Sequence, residues 1–147
     1  HHCQQALAQF EATGYQRGQA KALNGIGWAH AQLGDYQEAL SCCQRAWRLY
    51  RDLGDRFEEA HVLDSIGFAH HCLGRYEQAS AAYQQALEAF RQAGYRYGEA
   101  ETLSHLGDTW QAAGDTTTAR AMWRQSLALF EELDHPDAEG VRARLAG

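Results

Sequence analysis

The chain has 147 residues, of which 45% are hydrophobic and 22% charged, an ordinary balance for a globular domain with a sizeable core. Its formal net charge of −6 argues against direct binding of nucleic acid, which depends on lysine and arginine against phosphate. No stretch approaches the roughly 18 consecutive apolar residues that cross a bilayer, so no membrane contact is predicted. One proline and 14 regularly spaced glycines favour helices joined by short turns.

The first 14 residues predict one helix, with Gly14 as its left-handed end. They align with the second half of each later repeat, so we expect this helix to belong to a truncated repeat with more protein upstream. His1 and His2 are either native or the remnant of a tag.

A repeated stretch then dominates the chain. Residues 23–39 read LNGIGWAHAQLGDYQEA, and related stretches return at residues 63–79 and 103–119. Self-similarity at a fixed period indicates a stacked array of one supersecondary unit. We predict a single all-α domain, a superhelical solenoid of antiparallel helix hairpins. Its repeats span residues 15–54, 55–94 and 95–134, and residues 135–147 form a C-terminal capping helix.

Glycine and aspartate mark the helix boundaries within each repeat. The predicted helices span residues 16–33, 36–53, 56–73, 76–93, 96–113 and 116–133. Gly54 and Gly94 stand just after second helices, where glycine readily adopts the left-handed conformation. Two Asp-x-x-Glu sequences, which begin at Asp35 and Asp55, predict reciprocal capping of the helices that follow.

Three glycines in the middle of the first helices need a compensating reason, because each costs about 1 kcal/mol relative to alanine. They are Gly27, Gly67 and Gly107. We expect close approach of the second helix at these points. Its matching small surface would be Ala39, Ala79 and Ala119.

This alternation of large and small residues resembles the tetratricopeptide repeat. In the second unit the pattern falls on Leu63, Ile66, Gly67, His70, Tyr76, Ala79, Tyr83 and Ala86. The resemblance implies a module for protein–protein interaction. The period of 40 residues exceeds the family's usual length of roughly 34.

The longer repeat resembles the C-terminal repeats of bacterial signal-transducing (STAND) ATPases, above all the Streptomyces antibiotic regulatory proteins. It is also similar to repeats of kinesin light chain and of bacterial peptide-sensing regulators. These resemblances imply a regulatory or sensor part of a larger bacterial transcriptional regulator. Lys21 is the only lysine among 13 basic residues, which indicates a GC-rich, actinobacterial genome.

The resemblance also places the first helix of each hairpin on a concave groove. The predicted partner-binding residues are Lys21, Asn24, Trp28, His61, Asp64, Phe68, His71, Glu101, Ser104 and Asp108. Aromatic groove residues are good anchors for a partner. Phe68 is interpreted as such an anchor, whereas Trp28 either faces the groove or packs against a neighbouring repeat.

The expected partner is a protein or peptide segment, which includes other domains of the parent chain. Asp64, Glu101 and Asp108 form either a solvated acidic face or a surface that prefers a basic segment. The alternative function is a structural scaffold that self-associates into homo-oligomers.

Histidine and cysteine also raise the question of a zinc site at His30, His70, His71 and Cys72. Equivalent backbones on neighbouring hairpins stand roughly 10 Å apart, whereas zinc ligands lie about 2.0–2.3 Å from the metal. We therefore favour stacked core histidines. No phosphate-binding loop or catalytic arrangement is present, so neither enzymatic activity nor a metal or cofactor is predicted. The four cysteines are interpreted as reduced thiols of a cytoplasmic protein.

Overall fold

A computed structural model describes residues 2–13 and 15–147, and this part of the chain forms eight α-helices and no strand. The helices are α1 (His2–Thr13), α2 (Gln16–Gln32), α3 (Tyr36–Leu53), α4 (Arg56–Cys72), α5 (Tyr76–Ala93), α6 (Arg96–Ala112), α7 (Thr116–Glu132) and α8 (Ala138–Ala146). The all-α prediction is confirmed. His1 and Gly14, the predicted end of the first helix, lie outside the described residues.

The glycines that follow second helices adopt the predicted left-handed conformation. Gly54 has φ 71° and Gly94 has φ 70°. At the first of these turns the N–H of Gly54 donates to the carbonyl of Arg51 at 3.1 Å, and the N–H of Asp55 donates to the carbonyl of Tyr50 at 3.0 Å. These bonds satisfy carbonyls at the end of α3 and turn the chain sharply into α4.

Of the two capping predictions, that for Asp55 is confirmed in part and that for Asp35 is wrong. Asp55 caps α4, since its Oδ1 accepts from the N–H of Glu58 at 3.1 Å. The reciprocal bond is replaced by the bond of the Asp55 N–H to Tyr50. The prediction for Asp35 is wrong, because its side chain makes no capping hydrogen bond and its Oδ2 lies 3.7 Å from Nδ1 of His30.

The helices stack in chain order, each against its neighbours. Helices α2, α4 and α6 pair with α3, α5 and α7 as hairpins, and α8 packs on α7. In addition, α2 contacts α4 and α4 contacts α6, so the first helices of successive hairpins form one wall. No helix in the described part has the length and apolarity needed to cross a bilayer.

Close approach within each hairpin explains the three mid-helix glycines. A Cβ on Gly67 would lie 2.7 Å from ring carbons of Tyr83, and a Cβ on Gly27 would lie 2.8 Å from Sγ of Cys43. Gly107 meets the indole of Trp123 in the same way. The predicted close approach is present, but its nearest atoms belong to these larger residues of the second helix rather than to the alanines.

Aromatic clusters fix the junctions between hairpins. The ring of Phe57 lies 5.1 Å from that of Tyr95 and 6.4 Å from that of Phe90, and His61 lies 5.0 Å from Phe90. One period later the same arrangement returns with Tyr97, Phe130 and His135. Edge-to-face aromatic pairs of this kind add about 0.5–1.5 kcal/mol each beyond the area they bury.

The cysteines are free thiols at all four positions. Cys43 is buried against Gly27, and burial raises its pKa to about 12. The protonated thiol therefore packs as a small apolar group and is unreactive.

We expect Gly67→Ala to lower the free energy of unfolding by about 1–3 kcal/mol, because the new methyl group overlaps the ring of Tyr83. Urea unfolding followed by circular dichroism measures this change. The matched control is Gly140→Ala in α8, where the nearest atom to a new Cβ is an arginine nitrogen at 3.6 Å. Helix propensity predicts a gain of up to about 1 kcal/mol there. Equal stability of the Gly67→Ala variant and the wild type would contradict the packing argument.

Candidate functional site

The wall of first helices carries a cavity of about 390 Å³, which we call the groove cavity. Helices α2, α4 and α6 all contribute to it, and Ala39 and Cys43 of α3 close one side. Its lining residues are Gly27, Trp28, Ala31, Gln32, Ala39, Cys43, Asp64, Ser65, Phe68, Ala69, Glu101 and His105. The cavity thus brings together four of the predicted partner-binding residues, from all three repeats.

Two exposed aromatic side chains stand on the groove cavity. Trp28 is 66% exposed and Phe68 is 43% exposed, whereas most large apolar residues of the described part are buried or half-buried. The ring of Phe68 packs edge-on against Tyr36, with centroids 6.2 Å apart and an interplanar angle of 81°. Two interpretations of Trp28 were open from the sequence. In the structure its indole lies on the groove cavity and is open to solvent.

Asp64 and His105 form an ion pair at the same cavity. Nδ1 of His105 lies 3.0 Å from Oδ1 of Asp64, and the hydroxyl of Thr102 donates to the same oxygen at 3.3 Å. Burial acts to lower the pKa of His105, but the carboxylates of Asp64, Glu101 and Asp108 outweigh it, so the pKa is raised above its usual value. The neighbouring carboxylates therefore favour the charged form of the His105 imidazole.

Glu101 belongs to a second polar arrangement. The hydroxyl of Tyr97 lies 3.2 Å from Oε2 of Glu101 and 3.1 Å from Oδ2 of Asp137. A phenol has one proton, so it donates to one of these carboxylates at a time. Burial and the two neighbouring carboxylates raise the pKa of Tyr97.

Asp108 is neutralised within the chain. Nε of Arg144 donates to its Oδ1 at 2.7 Å, and a second guanidinium nitrogen donates to Oδ2 at 3.1 Å. The indole N–H of Trp123 also donates to Oδ1, at 3.2 Å. Arg144 thereby ties α8 to α6. It lines a second cavity, of about 300 Å³, with Glu101, Ser104 and His105.

The remaining predicted partner-binding residues lie apart from the groove cavity. Lys21 is exposed and Asn24 is half-buried on α2. His61 packs in the aromatic cluster with Phe57 and Phe90. Nδ1 of His71 lies 2.9 Å from the hydroxyl of Thr109 on α6.

Ser104 is nearly buried, with 7% of its surface exposed. It lines the smaller cavity. The structure therefore places the predicted set on the same wall but in several distinct environments.

Three residues at the site were not predicted from the sequence: His105, Tyr97 and Arg144. The sequence could have indicated His105, because the corresponding positions of the other repeats hold the smaller residues Gly25 and Ser65. A large titratable side chain at a small-residue position indicates a local role.

The 40-residue repeat period could have indicated Arg144. One more step of 40 residues from Asn24, Asp64 and Ser104 arrives at Arg144. The C-terminal helix thus places its arginine at the register of the earlier groove residues.

The histidines considered for zinc are half-buried between helices. Nδ1 of His30 and Nδ1 of His70 are buried and have no hydrogen-bond partner among the described residues. Burial, followed by the charge of Arg75, lowers the pKa of His70. In residues 2–13 and 15–147, no three side chains of the metal-binding types come close enough together to hold an ion.

We expect an NMR titration to give His105 a pKa above the usual value of about 6.5, and Asp64→Asn to lower it. The same pair makes stability depend on pH. A raised folded-state pKa gives a stabilisation that is fully present below about pH 6.5 and is lost as pH rises through the folded-state value.

The matched control for that titration is Asp52→Asn, an exposed aspartate outside the cavity, which makes the same change in net charge. An unchanged His105 pKa in the Asp64→Asn variant would contradict the ion pair.

Comparison with known proteins places the chain in a family. No curated protein sequence matches the chain. The structure of BtubC (BKLC) from P. vanneervenii is similar with a TM-score of 0.82 and 19% identity, over 91% of this chain and 57% of BtubC. A Rap protein complexed with competence and sporulation factor is similar with a TM-score of 0.85 and 19% identity, over 98% of this chain and 41% of the Rap chain. The TPR domain of Arabidopsis FLU is similar with a TM-score of 0.76 and 18% identity, over 80% of this chain and 98% of the FLU domain.

The sequence alone also matches a family of helical repeats. Residues 1–52, 18–92 and 58–132 match the model of the tetratricopeptide repeat, which together covers most of the sequence. The chain belongs to the tetratricopeptide repeat family.

Proposed function

We propose that the chain is a protein-interaction module that binds a segment of a partner protein in the groove cavity. The observation that carries this proposal is the pair of exposed aromatic side chains, Trp28 and Phe68, on one cavity of about 390 Å³. The cavity is concave and mostly apolar, with few polar groups at defined places, which is the usual character of a binding site.

The two exposed rings can supply binding energy when a partner covers them. Full burial of one large apolar side chain contributes about 1.5–3 kcal/mol, and the chain leaves part of this contribution unused at Trp28 and Phe68. Tyr36 holds the ring of Phe68 from one edge, so little conformational freedom is lost when a partner covers the other side. Pre-positioned aromatic anchors in a concave surface are typical binding hot spots.

We further propose that this module is the regulatory or sensor part of a larger bacterial transcriptional regulator of the STAND ATPase type. The repeat pattern supports this role through its resemblance to the repeats of such regulators. The Rap protein of similar fold is complexed with competence and sporulation factor in its structure, and a bound effector of this kind is what we propose here. The same proposal places the chain in the cytoplasm, where its four free thiols stay reduced.

This regulatory role predicts a transcriptional phenotype. In cells whose full-length parent protein carries Trp28→Ala, RNA sequencing should show changed transcript levels relative to the wild type, because the effector signal is lost. Leu33→Ala is the matched control, since Leu33 is 78% exposed and lies outside the groove cavity. Identical transcripts in the wild-type and Trp28→Ala cells would contradict the regulatory role.

Binding itself is tested with peptides selected from a random library against the wild-type chain. We expect Trp28→Ala and Phe68→Ala each to weaken the binding of selected peptides about tenfold or more, measured by calorimetry. Both side chains are exposed, so their truncation should leave the thermal unfolding curve close to that of the wild type.

The control variant is again Leu33→Ala, which removes an even more exposed apolar side chain and should leave affinity unchanged. Peptides that bind all four proteins alike would contradict the groove as the binding site. Loss of a concentration-dependent oligomer in the Trp28→Ala variant, with no peptide bound, would instead favour the self-associating scaffold.

A further inference from the structure

We propose that the bound segment carries an arginine beside an apolar side chain, with the guanidinium on Asp64 and Glu101 and the apolar side chain against Trp28 and Phe68. This inference rests on the proposed function and specifies its partner. It commits the groove cavity to one chemistry, a cationic and apolar protein segment.

The first support is unused acceptor capacity at the groove cavity. Both described hydrogen bonds of Asp64 end on Oδ1, and that of Glu101 ends on Oε2. Within residues 2–13 and 15–147, no hydrogen bond ends on Oδ2 of Asp64 or on Oε1 of Glu101. A planar guanidinium carries five N–H donors, so it can donate to more than one carboxylate oxygen at a time.

The second support comes from the chain itself, which already places a guanidinium on a neighbouring carboxylate. Arg144 contacts both oxygens of Asp108, at 2.7 and 3.1 Å. Asp108 follows Phe68 by one period of 40 residues, so it occupies the corresponding position of the next repeat. The first-helix wall therefore binds arginine at its C-terminal end, and the groove cavity has the same type of acid with no such occupant.

The third support is the balance of charge. The groove cavity is lined by two carboxylates, and His105 lies against one of them, Asp64. Glu101 shares a neutral phenol with Asp137, so its own charge is not compensated by that contact. With a net charge of −6, the whole chain also attracts cationic segments at long range.

The exposed rings favour arginine over lysine. A guanidinium is planar, is more weakly hydrated than an ammonium group and stacks on aromatic faces. The chain shows this type of contact elsewhere, since the guanidinium of Arg51 lies 4.7 Å above the ring of Trp47. In the groove cavity, Trp28 and Phe68 offer the ring surface and Asp64 and Glu101 the charge.

The test uses four matched synthetic peptides with blocked ends and neutral flanks. Each places one variable residue between two leucines, and that residue is arginine, lysine, citrulline or glutamate. Citrulline keeps the shape of arginine and removes its charge. Binding is followed by NMR through the indole N–H signal of Trp28, which is assigned with the Trp28→Phe variant.

We expect the arginine peptide to shift the Trp28 signal, with an affinity about tenfold or more above that of the citrulline peptide. The lysine peptide should bind with intermediate affinity and the glutamate peptide least. Asp64→Asn and Glu101→Gln should each reduce the affinity for the arginine peptide severalfold and leave that for the citrulline peptide nearly unchanged. Asp52→Asn controls for net charge, because it is exposed and lies outside the cavity.

The outcomes separate this inference from the proposed function. If library-selected peptides need Trp28 but the arginine and citrulline peptides bind equally, the groove function stands and the cationic partner is overturned. The inference is also overturned if none of the four peptides shifts the Trp28 signal at millimolar concentration. If library-selected peptides are also indifferent to Trp28→Ala and Phe68→Ala, the proposed function falls with it.

Discussion

The structure depends on close contact between the two helices of each hairpin, where a glycine of the first helix faces a larger residue of the second. At Gly67 the available space is filled by the ring of Tyr83 so completely that a single added methyl carbon would overlap it. Because glycine lowers helix propensity, this contact has to return more than about 1 kcal/mol at each of three places. It fixes the distance and rotation of the helices, and with them the direction in which every other side chain of α2, α4 and α6 points.

That rotation connects packing to the candidate site. Tyr83, held against Gly67, presents its ring 5.5 Å from the imidazole of His105. His105 in turn lies against Asp64, which lines the groove cavity. A change in the buried contact therefore reaches the charged groups of the cavity through one aromatic ring. Trp28 is largely exposed, and Phe68, which packs edge-on against Tyr36, keeps part of its ring open to the cavity.

The sequence predicted the features that depend on period and on local backbone chemistry. The helices and the left-handed glycines follow from the 40-residue repeat, whereas the placement of Trp28, Asp64 and Phe68 on one wall was implied by the resemblance to the tetratricopeptide repeat. The features it missed depend on which way one side chain turns. Asp35 faces His30 instead of the start of α3, which no spacing rule describes.

The candidate site shows the same division. His61 turns into the aromatic cluster because Phe57, Phe90 and Tyr95 surround it, whereas the matching Glu101 turns to the cavity. Arg144 was missed because it lies beyond the last full repeat; the period gives its register, but its contact with Asp108 depends on how α8 packs. The most direct measurement is a crystal structure of the chain with a selected peptide bound. The account predicts a peptide side chain between Trp28 and Phe68, and a peptide bound elsewhere with the groove cavity empty would contradict it.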